Sequence, residues 1–575
     1  MSRLGQNTGS ELSTALAACR SAFLGVALFS ALLNVLYLTG SFYMLEVYDR
    51  VLPSRSLPTL VGITLLALLL FVFQGLFDIV RSRILVRIGR GLDEAVNERV
   101  YDVLVKLPLR TSSAHGLQPL RDLDQVRSFL SSVGPAALFD LPWMPLYLGI
   151  CYLFHPWIGI AATAGGLILI AVTLLTEFLT RTPAAEAATL AGNRTSLAEA
   201  GRRNAEAVQA MGMAGRLGAR WRQSNRDYLA AHQRTADIAA GLGGLSKVLR
   251  MALQSGVLGI GAWLVINQQA TAGIIIASSI LTSRALAPIE LAIAHWRGFV
   301  AARQSWRRLD TLLGKVPADP PRLVLPKPVH SLAVETVSIV PPGTQRVVVQ
   351  DMAFQLKAGQ GLGIIGPSAS GKSSLARAIV GVWSAVRGKI RLDGAALDQW
   401  SAQALGPHIG YLPQDMELFA GTVAENIARF ELQAPSEQVI AAATAAGVHE
   451  LILGLTEGYE TQIGEAGAAL SAGQRQRIGL ARALYGEPFL VVLDEPNANL
   501  DHEGEEALAR AILGVRARGG IAIVIAHRPS ALAGVDSLLV MRAGRLESFG
   551  PKETVLKQTL RPAPLRVAAS AAGAA

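Results

Sequence analysis

Residues 366–373 read Gly366-Pro367-Ser368-Ala369-Ser370-Gly371-Lys372-Ser373, with Ser374 next. The short apolar run Gly361–Ile365 leads in, and Leu375–Val380 leaves with helical spacing. A strand, a glycine-bearing loop and a helix in that order form a cradle for phosphate. The glycines let the backbone wrap the anion, the amides of Ala369–Ser373 turn inward, and the helix N-terminus favours negative charge. Lys372 is then expected to reach the β- and γ-phosphates, and Ser373 to hold Mg²⁺. This places an α/β domain with a parallel sheet in the second half of the chain.

A second strand, Leu490–Leu493, ends in Asp494-Glu495. An aspartate at a strand end suits Mg²⁺ held through water, and the adjacent Glu495 can polarise an attacking water. Taken alone, an apolar strand ending in two carboxylates is common. Its weight comes from position: it follows the phosphate loop and also Leu470-Ser471-Ala472-Gly473-Gln474.

The rest of the chain is of another kind. Its 575 residues exceed what one core holds, so at least two domains are expected. Only 17% are charged, and long apolar runs crowd the part before about residue 290. Six runs, near 21–42, 59–78, 136–154, 157–176, 246–266 and 271–289, approach the ~20 residues a helix needs to cross a bilayer. The connections after the first, third and fifth are short; those after the second and fourth are long. The long ones carry Arg81, Arg83, Arg87, Arg90 and Arg99, then Arg202, Arg203, Arg216, Arg220 and Arg222. Arginine near membrane ends marks the cytoplasmic side, so both long connections and both termini are expected there. That rule also accounts for the net charge of +10 without nucleic acid.

The long connections are expected to continue the membrane helices, each closing in a turn-over helix near Leu107–Leu123 and Ala205–Leu217. Asn34, Gln74, Asp140 and Gln254 are the polar residues in or beside the apolar runs. Asp140 precedes Leu141-Pro142-Trp143-Met144-Pro145 and reads as a helix-entry carboxylate at the interface, ahead of the alternative of a hinge or pathway residue, with prolines that bend the third helix. Cys19 and Cys151 have no metal or redox spacing. Domain bounds of 1–315, a proline-rich linker at 316–329, a nucleotide-binding domain at 330–560 and a disordered tail at 561–575 are expected.

With these motifs in place, the chain resembles an ATP-binding cassette (ABC) transporter: a six-span α-helical transmembrane domain of exporter type fused to an α/β nucleotide-binding domain. The resemblance implies roles residue by residue. Gly366, Pro367, Ser368, Ala369, Ser370, Gly371, Lys372, Ser373 and Ser374 would bind ATP. Gln414, in Tyr411-Leu412-Pro413-Gln414, would touch Mg²⁺ and the γ-phosphate, and Asp494 would hold Mg²⁺. Ser471, Gly473 and Gln474 would meet the nucleotide of the opposite subunit, and Asp501, in Ala498-Asn499-Leu500-Asp501, would lie at the dimer seam. Glu495 would be the general base and His527 the switch histidine. Two departures stand out. Ala472 replaces the usual glycine, and Val337-Ser338-Ile339-Val340-Pro341-Pro342 lacks the aromatic that stacks on adenine.

Because one signature peptide cannot reach its own nucleotide, the resemblance implies a homodimer. Phe42-Tyr43-Met44-Leu45-Glu46-Val47-Tyr48-Asp49-Arg50-Val51, Phe139-Asp140-Leu141-Pro142-Trp143 and Ala210-Met211-Gly212-Met213 are similar to the type I secretion branch, specifically its alkaline-protease, lipase and RTX exporter group. So is Gly363-Ile364-Ile365-Gly366-Pro367-Ser368, and Gly464-Glu465 resembles the exporter cross-talk loop. This branch implies the bacterial inner membrane, an unfolded polypeptide cargo with a C-terminal signal, a periplasmic adaptor and an outer-membrane channel. About 20 residues precede the first apolar run, so no leader-peptidase domain is expected. A lipid or drug exporter shares the same engine and is the alternative. A soluble nucleic-acid ATPase is disfavoured by the six apolar runs.

Overall fold

The computed structural model describes residues 10–110, 116–317, 325–464, 467 and 469–559. The linker residues 318–324, Glu465 and the tail at 561–575 lie outside them. Two compact units separate, one within Met1–Leu104 and His115–Val316, the other within Val105–Ala114 and Pro317–Ala575.

Six helical stretches in the first unit are long and apolar enough to cross a membrane: Arg20–Ser54, Leu57–Leu109, Gly134–Phe154, Pro156–Arg203, Ala214–Ile266 and Ala272–Lys315. The chain is a multi-pass membrane protein. The second and fifth stretches hold 53 residues each. At 1.5 Å per residue that is about 80 Å, against a hydrocarbon core of about 30 Å. More than half of each helix therefore continues beyond the bilayer.

The turn-over elements differ from the expectation. Near the first there is a 3₁₀ turn at Leu107–Leu109 and a helix at Gln118–Leu130, with residues 111–115 outside the described set. At the second, a helix covers only Ala205–Ala210. Gly212 (φ 62°) then breaks the chain before Ala214 opens the fifth span. The third span is segmented at its prolines, as Gly134–Asp140, a 3₁₀ turn Leu141–Trp143, and Met144–Phe154.

Asp140 sits at the entry to the 3₁₀ turn of the third span, but it is packed among the spans and does not face solvent. It is 6% exposed, as is Arg81, whose Nη1 donates to Asp140 Oδ1 at 3.1 Å and Oδ2 at 3.0 Å. Asn34 Nδ2 donates to Asp140 Oδ1 at 2.9 Å, and Tyr147 Oη donates to Asn34 Oδ1 at 2.8 Å. Arg81 also binds Asp78 at 2.7 Å. The first three spans thus meet around a satisfied ion pair, because a buried charge is tolerated only when it is paired and hydrogen-bonded.

The second unit carries two sheets. β1 (Ser331–Ile339), β2 (Val349–Lys357), β4 (Arg387–Leu392) and β5 (Ala395–Ala396) form an antiparallel sheet ordered β2-β1-β4-β5. The larger sheet is ordered β10-β9-β3-β8-β7-β6. Its strands are β3 (Gly361–Ile365), β6 (Ile409–Leu412), β7 (Leu490–Asp494), β8 (Ile521–Ile525), β9 (Ser537–Arg542) and β10 (Arg545–Pro551). All of its neighbours pair parallel except β9 and β10.

β7 and β8 are buried along their whole length, as strands covered on both faces must be. Alternation splits their side chains between two cores. Leu490 and Val492 join Leu375 and Ile379 from the helix Lys372–Ile379. Val491 and Leu493 join Ile478 and Leu508 from the helices Ala472–Leu484 and His502–Ala517. This sandwich fixes the carboxyl ends of β3, β8, β7 and β6 side by side, where ligands of open α/β sheets collect.

Candidate nucleotide site

The loop after β3 is shaped by close backbone approaches. Gly366 has φ 155° and Gly371 φ 95°, and an added Cβ would lie 2.2 Å from Met541 O and 2.8 Å from Val348 O respectively. Ala369 adopts φ 62°, a conformation that strains a residue with a Cβ. Lys372 folds its ammonium back over the loop, donating to Gly366 O at 2.9 Å and Pro367 O at 3.0 Å. Burial lowers its pKa, opposed by the nearby Glu495 and Asp494.

Asp494 ends β7 and is 1% exposed. Neither carboxylate oxygen has a hydrogen-bond partner. Ser373 approaches closely enough to oppose the upward pKa shift that burial imposes, but no hydrogen bond of ordinary geometry joins them. A buried carboxylate with two orphaned oxygens beside a hydroxyl is a donor set for a hard divalent cation, so these residues fit Mg²⁺. The Ser370 hydroxyl is similarly buried without a partner.

Three side chains from the ends of adjacent strands converge next to it. Gln414, just beyond β6, donates from Nε2 to Glu495 Oε2 at 3.2 Å. His527, just beyond β8, places Nε2 3.2 Å from Glu495 Oε1. Glu495 has φ 52°, and its amide donates to Ile525 O at 2.9 Å, which aims its side chain between the other two. A carboxylate oriented by two polar groups beside a phosphate loop can accept a proton from water.

Ser471, Gly473, Gln474 and Asp501 lie elsewhere. Among the described residues, no hydrogen bond or ion pair joins them to 366–374. Ser471 caps the helix Ala472–Leu484: its Oγ accepts from Gln474 N at 3.2 Å, while Gln474 Oε1 accepts from Ser471 N at 2.8 Å. This reciprocal box anchors the signature peptide at a helix N-terminus. A Cβ at Gly473 would stand 2.9 Å from Asn499 O, which accounts for glycine there. Asp501 caps His502–Ala517 through Gly504 N at 2.9 Å and pairs with Arg477. The Gly504 amide, then Arg477, holds its carboxyl below the usual range.

Gln476 is absent from the sequence reading and proves central. It is 8% exposed. Its Nε2 donates to Glu495 O at 3.2 Å and Pro496 O at 2.5 Å, and its Oε1 accepts from Asn499 N at 3.0 Å. One side chain ties the signature helix to the loop leaving β7. The available signal was a glutamine on the buried face of an amphipathic helix.

The family model described as ABC transporter matches residues 349–498, and that described as ABC transporter transmembrane region matches 23–287. The chain is 62% identical over 551 residues, 96% of itself and 95% of the relative, to the type I secretion system ATP-binding protein PrsD of Rhizobium meliloti (strain 1021). It is 29% identical to the cyclolysin secretion/processing ATP-binding protein CyaB of Bordetella pertussis (strain Tohama I), over 92% of this chain and 75% of that one. A solved bacterial Atm1-family ABC exporter with ATP bound shares the fold, with TM-score 0.80 at 22% identity over 94% of this chain and 97% of that chain. The chain belongs to the ABC transporter family, as a fused transmembrane and ATP-binding polypeptide, and stands with the type I secretion ATP-binding proteins.

Proposed function

We propose that this chain drives export of polypeptides by a type I secretion system, using ATP hydrolysis. The observation that carries the reading is the meeting of Gln414, Glu495 and His527 beside the phosphate loop, in a chain with six membrane-length helices. The loop Gly366–Ser374 binds the triphosphate, with Lys372 leaving its carbonyl partners for the phosphates. Ser373 and Asp494, with Gln414, would hold Mg²⁺, which when bound neutralises charge on the phosphate oxygens. Glu495 accepts a proton from water as the water oxygen bonds to the γ-phosphorus and the bond to the bridging oxygen breaks. Gln414 orients Glu495, and His527 contacts the γ-phosphate.

Ser471, Gly473, Gln474 and Asp501 complete the site of a second copy, because within one chain they stand apart from the loop. The active form is then a homodimer with two sandwiched nucleotides. The Arg-rich connections support a cytoplasmic ATPase unit, and the likeness to type I secretion proteins supports spans in the bacterial inner membrane. The relatives' branch supplies the remaining partners: a periplasmic adaptor, an outer-membrane channel and a cargo with a C-terminal signal. The domain bounds read from the sequence serve as the working division.

The test uses the full chain. Glu495→Gln should retain ATP binding while turnover falls about 10²–10⁴-fold, the span typical of general-base loss. Turnover at the wild-type rate would remove Glu495 from the base role. In cells, Lys372→Ala should strip specific proteins from the culture supernatant. Unchanged supernatants with altered lipid distribution or drug tolerance would move the chain to the lipid or drug branch.

A further inference from the structure

Several arginines of the fifth and sixth spans have partners. Arg250 pairs with Glu290 at 2.8 Å, Arg308 with Asp122 at 2.5 Å, and Arg297 donates to Thr235 O at 3.2 Å. Three arginines of the fourth and sixth spans share a different setting. Arg181, Arg303 and Arg307 form no ion pair or side-chain hydrogen bond among the described residues, yet all three line one cavity of about 240 Å³. Glu177, Trp296 and Gln304 share it. The single carboxylate is already engaged, because Trp296 Nε1 donates to Glu177 Oε2. Three guanidiniums facing one committed carboxylate leave the cavity strongly positive.

Its place in the chain narrows the ligand. Glu177 and Arg181 directly follow the apolar run ending near residue 176, and Trp296 follows the run ending near 289. The fourth-span wall of the cavity therefore sits where hydrocarbon gives way to headgroups, the depth that favours tryptophan, and the sixth-span arginines extend it toward the cytoplasmic side. Leu174, Phe178 and Arg181 recur at helical spacing on one stripe of the fourth span. Leu174 is 62% and Phe178 78% exposed. An apolar stripe thus leads into the cationic cavity, as an acyl chain would run toward its own phosphate. An acidic peptide has no use for that stripe.

We infer that Arg181, Arg303, Arg307 and Trp296 form a site for the phosphate headgroup of an anionic phospholipid, with its acyl chain along Leu174 and Phe178. Guanidinium forks match phosphate oxygens in two-point contacts, and basic pockets between spans at this depth are suited to such headgroups. The site is independent of the hydrolytic roles given above, though its assignment to the cytoplasmic leaflet rests on the topology proposed there.

The test is lipid retention by the purified full chain in native mass spectrometry, after exchange into mixed phosphatidylglycerol and phosphatidylcholine. The wild type should retain phosphatidylglycerol preferentially. The triple variant Arg181→Gln, Arg303→Gln, Arg307→Gln should bind it about 100-fold more weakly. The triple variant Arg216→Gln, Arg220→Gln, Arg222→Gln should retain it. The single variant Arg303→Gln, with an intermediate loss, keeps the test decisive if the triple variant misfolds. Equal retention by wild type and cavity variant overturns the proposal. So does displacement of the lipid by glycerol 3-phosphate alone, which would make the site one for a free phosphate. Displacement by poly-glutamate, with no preference between the two lipids, overturns it in favour of a peptide site.

Discussion

Asp140 and Asp494 are both almost entirely removed from solvent, and they live in opposite circumstances. Asp140, among the membrane spans, receives Arg81 on both oxygens and Asn34 on one. The carboxylate of Asp494, at the end of β7, receives no hydrogen bond of ordinary geometry. Burying a carboxylate without a partner is costly, so an unpaired one persists only where something else uses it. Asp140 is complete within its own chain and serves cohesion. Asp494 lacks such partners, and on the proposed function a cation completes it for chemistry. Completeness of pairing separates the two roles where burial alone would class them together.

The comparison breaks most sharply if Arg81 is removed. Arg81→Met strands Asp140 and should destabilise the membrane unit by about 3–5 kcal/mol, whereas Arg81→Met with Asp140→Leu should recover most of it. Thermal unfolding in detergent reads both. A small loss in the single variant would show that Asp140 does not depend on its partner. At the other aspartate the signs reverse. Asp494→Asn should lower ATP turnover by at least about 10²-fold while raising the thermal stability of the Mg²⁺-free ATPase unit. A destabilised Mg²⁺-free variant would mean that the wild-type carboxylate is satisfied after all.

Acidity sharpens the same point. Burial raises the Asp494 pKa above 3.8, so the folded state holds that proton more tightly than the unfolded one. Between 3.8 and the raised value only the folded state is protonated, so this group's contribution to stability falls as pH rises through that window. Saturating Mg²⁺ should abolish the dependence, and Asp494→Asn should abolish it without metal. Unfolding curves against pH, with and without Mg²⁺, decide this.

Smaller effects test the frame around Asp494. Gln476→Ala removes the three hydrogen bonds that hold residues 495–499 and should cost about 1–3 kcal/mol, with faster amide exchange in that loop. Unchanged exchange would make Gln476 a passive core residue. Ala472→Gly should cost less than about 1 kcal/mol, since the position is the first of its helix and only helix propensity is at stake. A larger loss of turnover would show that the alanine is specifically required.

The ease of reading the sequence followed the same divide. The phosphate loop, the strand ending at Asp494 and Glu495, and the six apolar runs are local patterns of a few to about twenty residues. They fixed the fold class directly. Which side chains converge on Glu495 depends on the strand order β3-β8-β7-β6, a tertiary property that the family resemblance supplied and periodicity alone did not. Asp140 misled because its partner lies 59 residues away, in a segment whose arginines all read as markers of the cytoplasmic side. Arg81 carries no local mark that distinguishes it from Arg83 or Arg87. Gln476 was hidden for a related reason, since its value lies in meeting three backbone groups 19 to 23 residues further on.

The discontinuity of the second unit bears on how the chain is made. Among the described residues, 105–110 belong with residues that follow Pro317, and Lys106, Leu109 and Arg110 help line a cavity of about 830 Å³ with Trp383, Trp400 and Ile409. Ribosomes add about 5–20 residues per second. The early segment therefore waits for roughly 200 further residues, some 10–40 s, before the rest of its unit begins to emerge. Until then its side chains face a nascent chain that cannot yet cover them. An ATPase fragment starting at Pro317 would meet the converse problem, reaching the end of synthesis with one wall of that cavity absent. Full-length chain is the natural unit for biosynthetic quality control, and the two halves are not interchangeable parts.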